Sequence, residues 1–395
     1  MGEKRILSAD NDRIAMVDAL RGFALFGLLM VHCVERFELY WLAPHPDPWF
    51  DAVFALFSSK AYAIFALLFG FSFATIMANE RARGGDSTRR FVRRLLILLV
   101  IGTLHGIIYR GDILQVLAVI GLVLIPTDRI RSNRVLLILA AIMLVQLPLI
   151  LRAWAASRGI GWAEQTPLYW SDTGLGTVAS GSLPEMLAVN LWQGMAAKWS
   201  FYLENGRAVE IIGLFLVGMV LQRTALFARA GEERRAWAAI MIAGATLWGI
   251  ACLAESRTLP IEGPAMVVDS VTTLFTRYRA VGATFFQIAL FVLLWHSPLG
   301  RPLAVLVPAG RMTLTLYVLQ SLAFTPLFYG FGLGLHDDLS NAATVLIGVA
   351  AFLVQIALAA AWFKAFRFGP LEWLWRAGTR GDWTTPLRRV PDGQG

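Results

Sequence analysis

Windows of about 20 apolar residues recur along nearly the whole chain, and they limit its fold more than any other feature. A helix that rises about 1.5 Å per residue needs about 20 residues to cross ~30 Å of hydrocarbon. Of the 395 residues, 57% are hydrophobic and 16% are charged, so a single aqueous core cannot bury the apolar surface. The sequence therefore predicts an all-α polytopic membrane protein in the lipid bilayer and excludes an ordinary soluble domain.

Charges, prolines and glycines mark the ends of ten predicted transmembrane helices. The first apolar run lacks a small-residue cleavage site, so we interpret it as a retained span and not as a signal peptide. The predicted spans are 14–34, 52–78, 91–108, 113–126, 135–151, 208–222, 236–254, 278–295, 303–329 and 342–363.

The formal net charge of +8 lies largely in short connections beside the apolar runs. In a membrane protein this distribution indicates topology and not a nucleic-acid-binding surface. Because cytoplasmic loops carry the excess of Lys and Arg, counting alternate connections predicts that both termini are cytoplasmic. The charges assigned to the inner side begin with Lys4, Arg5, Arg13, Arg81, Arg83, Arg89, Arg90, Arg93 and Arg94.

The apolar stretch 185–203 would invert every later loop if it spanned, so we predict an amphipathic segment of a long external loop. The tail combines Pro370, Trp373 and Trp375 with Arg376, a pattern typical of an interfacial helix on the inner leaflet. We predict one integral membrane domain, 1–395, with an N-terminal five-helix block at 14–151, the external loop at 152–207, a C-terminal five-helix block at 208–363 and a cytoplasmic interfacial tail at 364–395.

Two predicted spans each carry an arginine followed 11 positions later by a histidine: Arg21 with His32, and Arg94 with His105. Eleven residues of α-helix turn by about 1100°, only ~20° from three full turns, and rise about 16 Å. Each pair therefore shares one helix face, with the arginine toward the cytoplasm. Asp18 lies three residues before Arg21 and so beside it.

If these two helices pack together, His32, His105, Asp112 and Glu35 converge near the outer third of the membrane. A neutral imidazole held by a carboxylate suits proton transfer near pH 7. Two alternatives stay open, because Arg94 is also explained as a topology anchor and His105 as a helix-end residue.

A further polar group lies in the ninth predicted span, where Arg311 is followed by Tyr317, Gln320 and Ser321. Such side chains line cavities in membrane proteins, and equally they form hydrogen bonds between helices. The two cysteines, Cys33 and Cys252, lie in or beside spans and indicate neither a disulfide scaffold nor a zinc site.

Successive segments of the chain resemble the signature blocks of the YeiB-like bacterial membrane proteins, a family of unknown function. The family is grouped with transmembrane acyltransferases, which include the heparan-α-glucosaminide N-acetyltransferases and the acyltransferase-3 proteins. The segments are "DALRGFALFGLLMVH", "KAYAIFALLFGFSFA", "RRLLILLVIGTLHGIIYRGDILQVLAVIGLVL", "GRMTLTLYVLQS" and "FGPLEWLWR", in the family's order.

The resemblance implies an enzyme of the bacterial inner membrane that moves an acyl group from cytoplasmic acyl-CoA to an acceptor. The donor is expected to be acetyl-CoA, and the acceptor a hydroxyl or amine of a sugar or small molecule on the outer side. The acyltransferase-3 pattern of Arg, ten residues and His falls on Arg21 and His32, whereas Leu316 replaces the family's Asn. No metal is expected, and a homodimer is left open.

The chemistry of acyl transfer assigns roles to the singled-out residues, with His32 as base or transient acyl carrier. The predicted catalytic residues are His32, His105, Asp112 and Arg21; the acyl-CoA-binding residues are Arg21, Arg93, Arg94 and Arg311; the substrate-binding residues are Asp18, Glu35, Tyr317, Gln320 and Ser321. The main alternative is a transporter that uses the same residues as a substrate and proton pathway. A non-catalytic assembly partner is a third hypothesis.

Overall fold

The computed structural model describes residues 2–82, 84 and 87–389, with side chains from residue 15 onward. This part of the chain is helical throughout, and its only β-contact is an isolated bridge between Phe366 and Arg388. The side chains of the predicted inner charges Lys4, Arg5, Arg13 and Arg83 lie outside the described residues.

The helices, numbered along the chain, fall at each of the ten predicted spans. They are α1 Gly2–Val34, α2 Pro48–Phe57, α3 Ala61–Ala82, α4 Ser87–Ile108, α5 Leu114–Ile120, α6 Leu124–Thr127, α7 Asn133–Leu144, α8 Leu147–Ser157, α9 Gly161–Glu164, α10 Leu175–Ser180, α11 Leu183–Val189, α12 Met195–Glu204, α13 Arg207–Arg223, α14 Arg234–Thr258, α15 Ala265–Trp295, α16 Val307–Arg311, α17 Thr313–Phe328, α18 Asn341–Ala365 and α19 Pro370–Arg380.

Helix length and apolarity support fewer crossings than the ten predicted spans. Seven helical stretches of the described chain are long and apolar enough to cross a membrane, or eight if one sharply bent pair forms a single span. The predicted spans 113–126 and 208–222 form shorter helices, Leu114–Thr127 and Arg207–Arg223. Length and composition therefore support seven or eight crossings, where the sequence predicted ten.

The bent pair breaks the ninth predicted span at Met312, where Pro298–Arg311 meets α17 at an angle of 78°. The segment before the break packs directly on the backbone of α1. A Cβ atom on Gly310 would overlap the backbone oxygen of Asp18, and one on Gly22 would lie only 2.4 Å from the backbone oxygen of Leu306. Glycine is needed at this crossing because two helix backbones touch there.

Residues 183–204 form an almost continuous helix, where the sequence predicted an amphipathic segment at 185–203. α11 and α12 are joined by one π-helical turn at Asn190–Gly194. Asn190 is fully buried, and its amide donates to the carbonyl oxygens of Ile107 and Ile108 at the end of α4. The predicted loop region thus covers the end of α4, and this contact positions it over the site described below.

The tail forms the predicted helix α19, which is tied to α17. The carboxylate of Glu372 accepts hydrogen bonds from the backbone N–H groups of Leu314 and Thr315, at 2.7 and 3.1 Å, and from the Thr315 hydroxyl at 2.6 Å. These N–H groups lie in the first turn of α17, which has no earlier helical carbonyls to bond. Two of the sequence blocks quoted above therefore meet as a helix and its cap.

Candidate functional site

The centre of the candidate site is a buried contact between His105 and Asp112. His105 lies in the last turn of α4, and Asp112 in the short connection to α5. His105 Nδ1 is 2.7 Å from Asp112 Oδ1, and both side chains are at most 1% exposed. The second oxygen of Asp112 accepts the backbone N–H of Gln115 at 2.9 Å.

This contact determines which nitrogen of His105 is available for chemistry. Opposite an ionised carboxylate, which only accepts hydrogen bonds, a neutral imidazole carries its proton on Nδ1 and a lone pair on Nε2. Within the described residues Nε2 is buried and has no hydrogen-bond partner. The geometry therefore orients a neutral imidazole with its basic nitrogen free.

His32 lies beside His105 across two tyrosine rings. The His32 ring centroid is 5.0 Å from that of Tyr109 and 6.2 Å from that of Tyr317, and the His105 ring is 5.1 Å from Tyr317. The Tyr317 hydroxyl accepts the backbone N–H of Ile113 at 3.3 Å. α1, α4 and α17 thus bring the two predicted histidines and Tyr317 into one aromatic cluster.

The chain directly after α1 adopts an unusual turn that the sequence does not indicate. Arg36, Phe37 and Glu38 have φ values of 47°, 53° and 86°, a left-handed conformation that costs non-glycine residues about 1–3 kcal/mol each. Arg36 donates to the side-chain oxygen of Asn341 at 2.8 Å and to two backbone carbonyls. The Tyr329 hydroxyl donates to the Phe37 carbonyl at 3.0 Å, so surrounding contacts hold the turn.

The predicted carboxylate Glu35 lies with other charges and does not hydrogen-bond to either histidine in the structure. The charges of Glu38 and Arg207 both act on it. Tyr109 connects this group to the histidines, since its hydroxyl donates to Glu38 Oε1 at 3.4 Å. Glu38 was not predicted from the sequence, because its contact with Tyr109 depends on the turn that follows His32.

Arg110 extends the site toward the helix at 183–204. Its Nε donates to Asn190 Oδ1 at 3.0 Å and its Nη1 to the carbonyl of Thr173 at 2.8 Å, while Nη2 has no partner among the residues described. Burial lowers the pKa of Arg110. A cation therefore lies buried just after the C-terminal end of α4 with one donor group free.

The arginines of the two Arg-to-His helices lie together at the other end of the fold. Arg21 donates to Asp18 at 2.7 Å, as the three-residue spacing predicts, and to Ser72 at 2.8 Å. The Arg94 guanidinium carbon lies 3.4 Å from the ring centroid of Trp375, whose indole N–H donates to the Arg94 carbonyl at 2.8 Å. The charges of Arg21 and Arg376 both act on Arg94.

The other two arginines predicted to bind acyl-CoA have different surroundings. Arg311 lies over the ring of Phe363, 4.1 Å from its centroid. Its charge also acts on Asp18, but the Asp18 carboxylate is hydrogen-bonded to Arg21. Arg93 is exposed beside Gly381. We call Arg21, Arg94 and Arg376 the cationic cluster.

The polar residues of α17 serve mainly as contacts between helices. Gln320 is fully buried and donates to Gln355 of α18 at 3.0 Å. Ser321 is also buried, and its hydroxyl has no partner within the described chain. Among the predicted substrate-binding residues of this helix, Tyr317 contacts the histidine cluster directly.

A cavity of about 490 Å³ opens beyond the left-handed turn. Arg36 and Asn341 form part of its wall together with His45, Asp47 and His336. No group of three His, Cys, Asp or Glu side chains in the described ranges is arranged to hold a metal ion. Because these side chains line it, the cavity is a polar pocket, and it lies at the end of the fold that holds His32.

The long apolar helices place the chain among multi-pass helical membrane proteins. The family model described as "Heparan-alpha-glucosaminide N-acetyltransferase, catalytic" matches residues 13–172, and "Protein of unknown function (DUF418)" matches residues 221–382. The first match includes His32, His105 and Asp112. No solved structure matches the chain significantly.

Curated relatives match over nearly the whole length. "Uncharacterized protein YxaH" of Bacillus subtilis is 28% identical over 94% of this chain and 96% of its own. "Uncharacterized protein YeiB" of Escherichia coli is 28% identical over 92% of this chain and 96% of its own. A Bacillus acidopullulyticus protein from an amylase 3' region is 26% identical. The chain is thus similar to YxaH and YeiB over nearly its whole length and, in its first part, to the heparan-α-glucosaminide N-acetyltransferase model, which confirms the resemblance noted in its sequence.

Proposed function

We propose that the chain is an acyltransferase of the bacterial inner membrane. It moves an acyl group, with acetyl as the first candidate, from cytoplasmic acyl-CoA to a hydroxyl or amine on the outer side. The observation that carries this proposal is the buried His105–Asp112 pair, within the segment that matches the acetyltransferase catalytic family. In this proposal all ten helical segments cross, the bent and short ones included, and both termini are cytoplasmic.

The His105–Asp112 pair supplies the base that acceptor activation requires. His105 Nε2 takes the proton of the acceptor O–H or N–H as that atom attacks the thioester carbon. Asp112 keeps Nδ1 protonated and stabilises the imidazolium that forms. His32, across the tyrosine rings, orients the acceptor or acts as the transient acyl carrier.

The cationic cluster provides the donor site at the inner side. Coenzyme A carries phosphate groups at the end of a long pantetheine arm, and guanidinium groups bind phosphates strongly. Arg21 and Arg94 come from the same two helices as the histidines, so one helix pair links the phosphate end to the acyl end. Arg93 and Arg311 extend the positive charge at this side.

The polar cavity at the opposite end suits a small polar acceptor. Asp47, His45 and His336 offer hydrogen-bonding groups of the kind that hold sugar hydroxyls or an amine. Arg36 lies in the wall of this pocket and begins the turn after α1. This turn follows His32 in the chain, so it places the pocket near that histidine.

A transporter is the second candidate function, and the break at Met312 favours it. Discontinuous helices are common at the substrate sites of secondary transporters. In that case Arg21, Asp18 and the histidines form the substrate pathway and proton relay.

One experiment separates the two functions. Purified protein in nanodiscs is incubated with radiolabelled acetyl-CoA and D-glucosamine, a probe that offers both an amine and hydroxyls. The release of CoA and the formation of labelled N- or O-acetylglucosamine are measured. In parallel, sealed proteoliposomes are tested for accumulated unmodified glucosamine. Covalent labelling with CoA release supports the acyltransferase. Accumulation without covalent change supports the transporter, and failure of CoA to bind or to raise the thermal midpoint contradicts the donor site.

A further inference from the structure

Lys198, on α12, is a buried lysine without a hydrogen-bond partner in the described part of the chain. Its side chain reaches the end of α4 and is only 7% exposed. Nζ lies 3.3 Å from the position that a Cβ atom on Gly106 would occupy, and Asp112 Cβ lies 3.8 Å from the same point. The ammonium group is therefore next to the His105–Asp112 pair, in space that the glycine leaves open.

The fold brings Lys198 to this place through Asn190. In a regular α-helix the eight residues from Asn190 to Lys198 would turn about 80° beyond two full turns, so the two side chains would diverge. The π-helical turn at Asn190–Gly194 has more residues per turn and so rotates less per residue, which offsets the extra rotation of about 80°. Asn190 therefore binds the final carbonyls of α4 while Lys198 faces Gly106 on the same helix.

The surroundings leave the hydrogen atoms of the ammonium group free. Asp112 attracts Lys198 electrostatically, but its oxygens are bonded to His105 and to the N–H of Gln115. Burial lowers the pKa of Lys198, and the charge of Asp112 opposes that shift. A buried donor with no acceptor costs folding energy, so the position suits a residue that binds a ligand atom.

We propose that Lys198 is a further catalytic residue, whose ammonium group donates hydrogen bonds to the carbonyl oxygen of the acyl thioester and stabilises the negative charge that develops there. This assignment rests on the proposed acyl transfer and names the group that completes it. The position of Lys198 fits this role because Nζ lies beside the His105–Asp112 pair. In the same step His105 Nε2 faces the acceptor atom that attacks the carbonyl carbon.

The step balances in atoms and charge. The acceptor oxygen or nitrogen forms a bond to the carbonyl carbon, its proton passes to His105 Nε2, and the carbonyl electron pair moves to the oxygen beside Lys198. The tetrahedral intermediate then breaks the C–S bond and restores the carbonyl. The thiolate takes the proton from the imidazolium and leaves as CoA.

Two substitutions of Lys198 test this role in nanodiscs, with acetyl-CoA as donor and D-glucosamine as acceptor probe. Lys198→Met keeps the length of the side chain and removes its charge, and Lys198→Arg keeps the charge. Lys60→Met is the matched control, because Lys60 is also largely buried but donates to the carbonyl of Phe54 elsewhere in the fold. The affinity of each variant for CoA, which lacks the acyl carbonyl, is measured by calorimetry.

We expect Lys198→Met to lower kcat by about 100-fold, the usual effect of losing one oxyanion donor, without a change in CoA affinity. Lys198→Arg should recover part of the loss, and Lys60→Met should match the wild type. A Lys198→Met variant that binds CoA and turns over like Lys60→Met overturns the assignment. Loss of CoA binding would also overturn it, since the residue would then be structural. A wild-type protein that turns over no acetyl-CoA contradicts the proposed function itself.

Discussion

Glu372 and Thr315 connect α19 to the first turn of α17. The carboxylate of Glu372 accepts both the N–H and the hydroxyl of Thr315, and the Thr315 hydroxyl in turn accepts the N–H of Leu371 at 3.0 Å. α17 contributes Tyr317 to the histidine cluster, and α19 contributes Trp375 to the cationic cluster. One hydrogen-bonded contact thus fixes the relative position of both parts of the site.

Replacing Glu372 by alanine should destabilise the protein. The change leaves two buried N–H groups at the start of α17 without an acceptor, which costs about 2–3 kcal/mol. Thermal unfolding in detergent should show a lower midpoint, whereas Glu262→Ala, at an exposed position, should unfold like the wild type. Equal midpoints for the two variants would show that the carboxylate does not hold α19.

The stability that Glu372 contributes should also depend on pH. Burial raises the pKa of this carboxyl above its ordinary value of 4.5. The folded state therefore binds the proton more tightly, so this contribution is fully present below the ordinary pKa and is lost as the pH rises through the raised one.

The free energy of unfolding of the wild type should thus increase relative to Glu372→Gln as the pH falls from about 8 to about 5. Comparing the two proteins in the same buffers cancels the titration of all other groups. A difference that stays constant, or that falls with the pH, would contradict the raised pKa.

Gly310→Ala should separate α16 from α1. The new Cβ would overlap the backbone oxygen of Asp18, and overpacking of this kind costs typically 1–3 kcal/mol or more. Gly249→Ala in α14 is the matched control, because nothing lies within 4 Å of its Cβ position and alanine favours a helix. Thermal midpoints should therefore move in opposite directions, and a Gly310→Ala protein as stable as the wild type would contradict the close crossing.

Arg94→Gln should weaken binding of the donor's phosphates. Loss of a charged hydrogen bond of about 1.5–3 kcal/mol predicts a rise of about 10-fold or more in KM for acetyl-CoA. S-acetyl-pantetheine lacks the phosphates, so its KM should not change. Arg131→Gln, at an exposed position, serves as the control. An equal rise in KM for both donors would assign Arg94 to the fold and not to phosphate binding.

The sequence predicted those features that depend on local spacing. The contact between Arg21 and Asp18 follows from three residues of helix, and the contact between His105 and Asp112 from a short connection. All ten predicted apolar segments are helical for the same reason, since hydropathy and end signals are local. The helix α19 was likewise visible in its proline and tryptophans.

Features that depend on packing between distant segments were not predictable. Lys198 reaches the site only because Asn190 binds the end of α4 across an intervening π-helical turn. The left-handed turn at Arg36 contains no glycine and is held by Asn341 and other residues far along the chain. The break at Met312 likewise lies beside a long-range contact, that of Gly310 with α1.

The most direct test of the account compares CoA release from acetyl-CoA by three proteins in nanodiscs, with D-glucosamine present. Asp112→Asn keeps an acceptor for the Gln115 N–H but no longer fixes the tautomer of His105, and His105→Gln removes the base. With unchanged thermal midpoints and CoA affinity, both variants should lose about 100-fold or more in kcat relative to the wild type. Turnover by either variant at the wild-type rate would contradict the central claim that the buried His105–Asp112 pair drives acyl transfer.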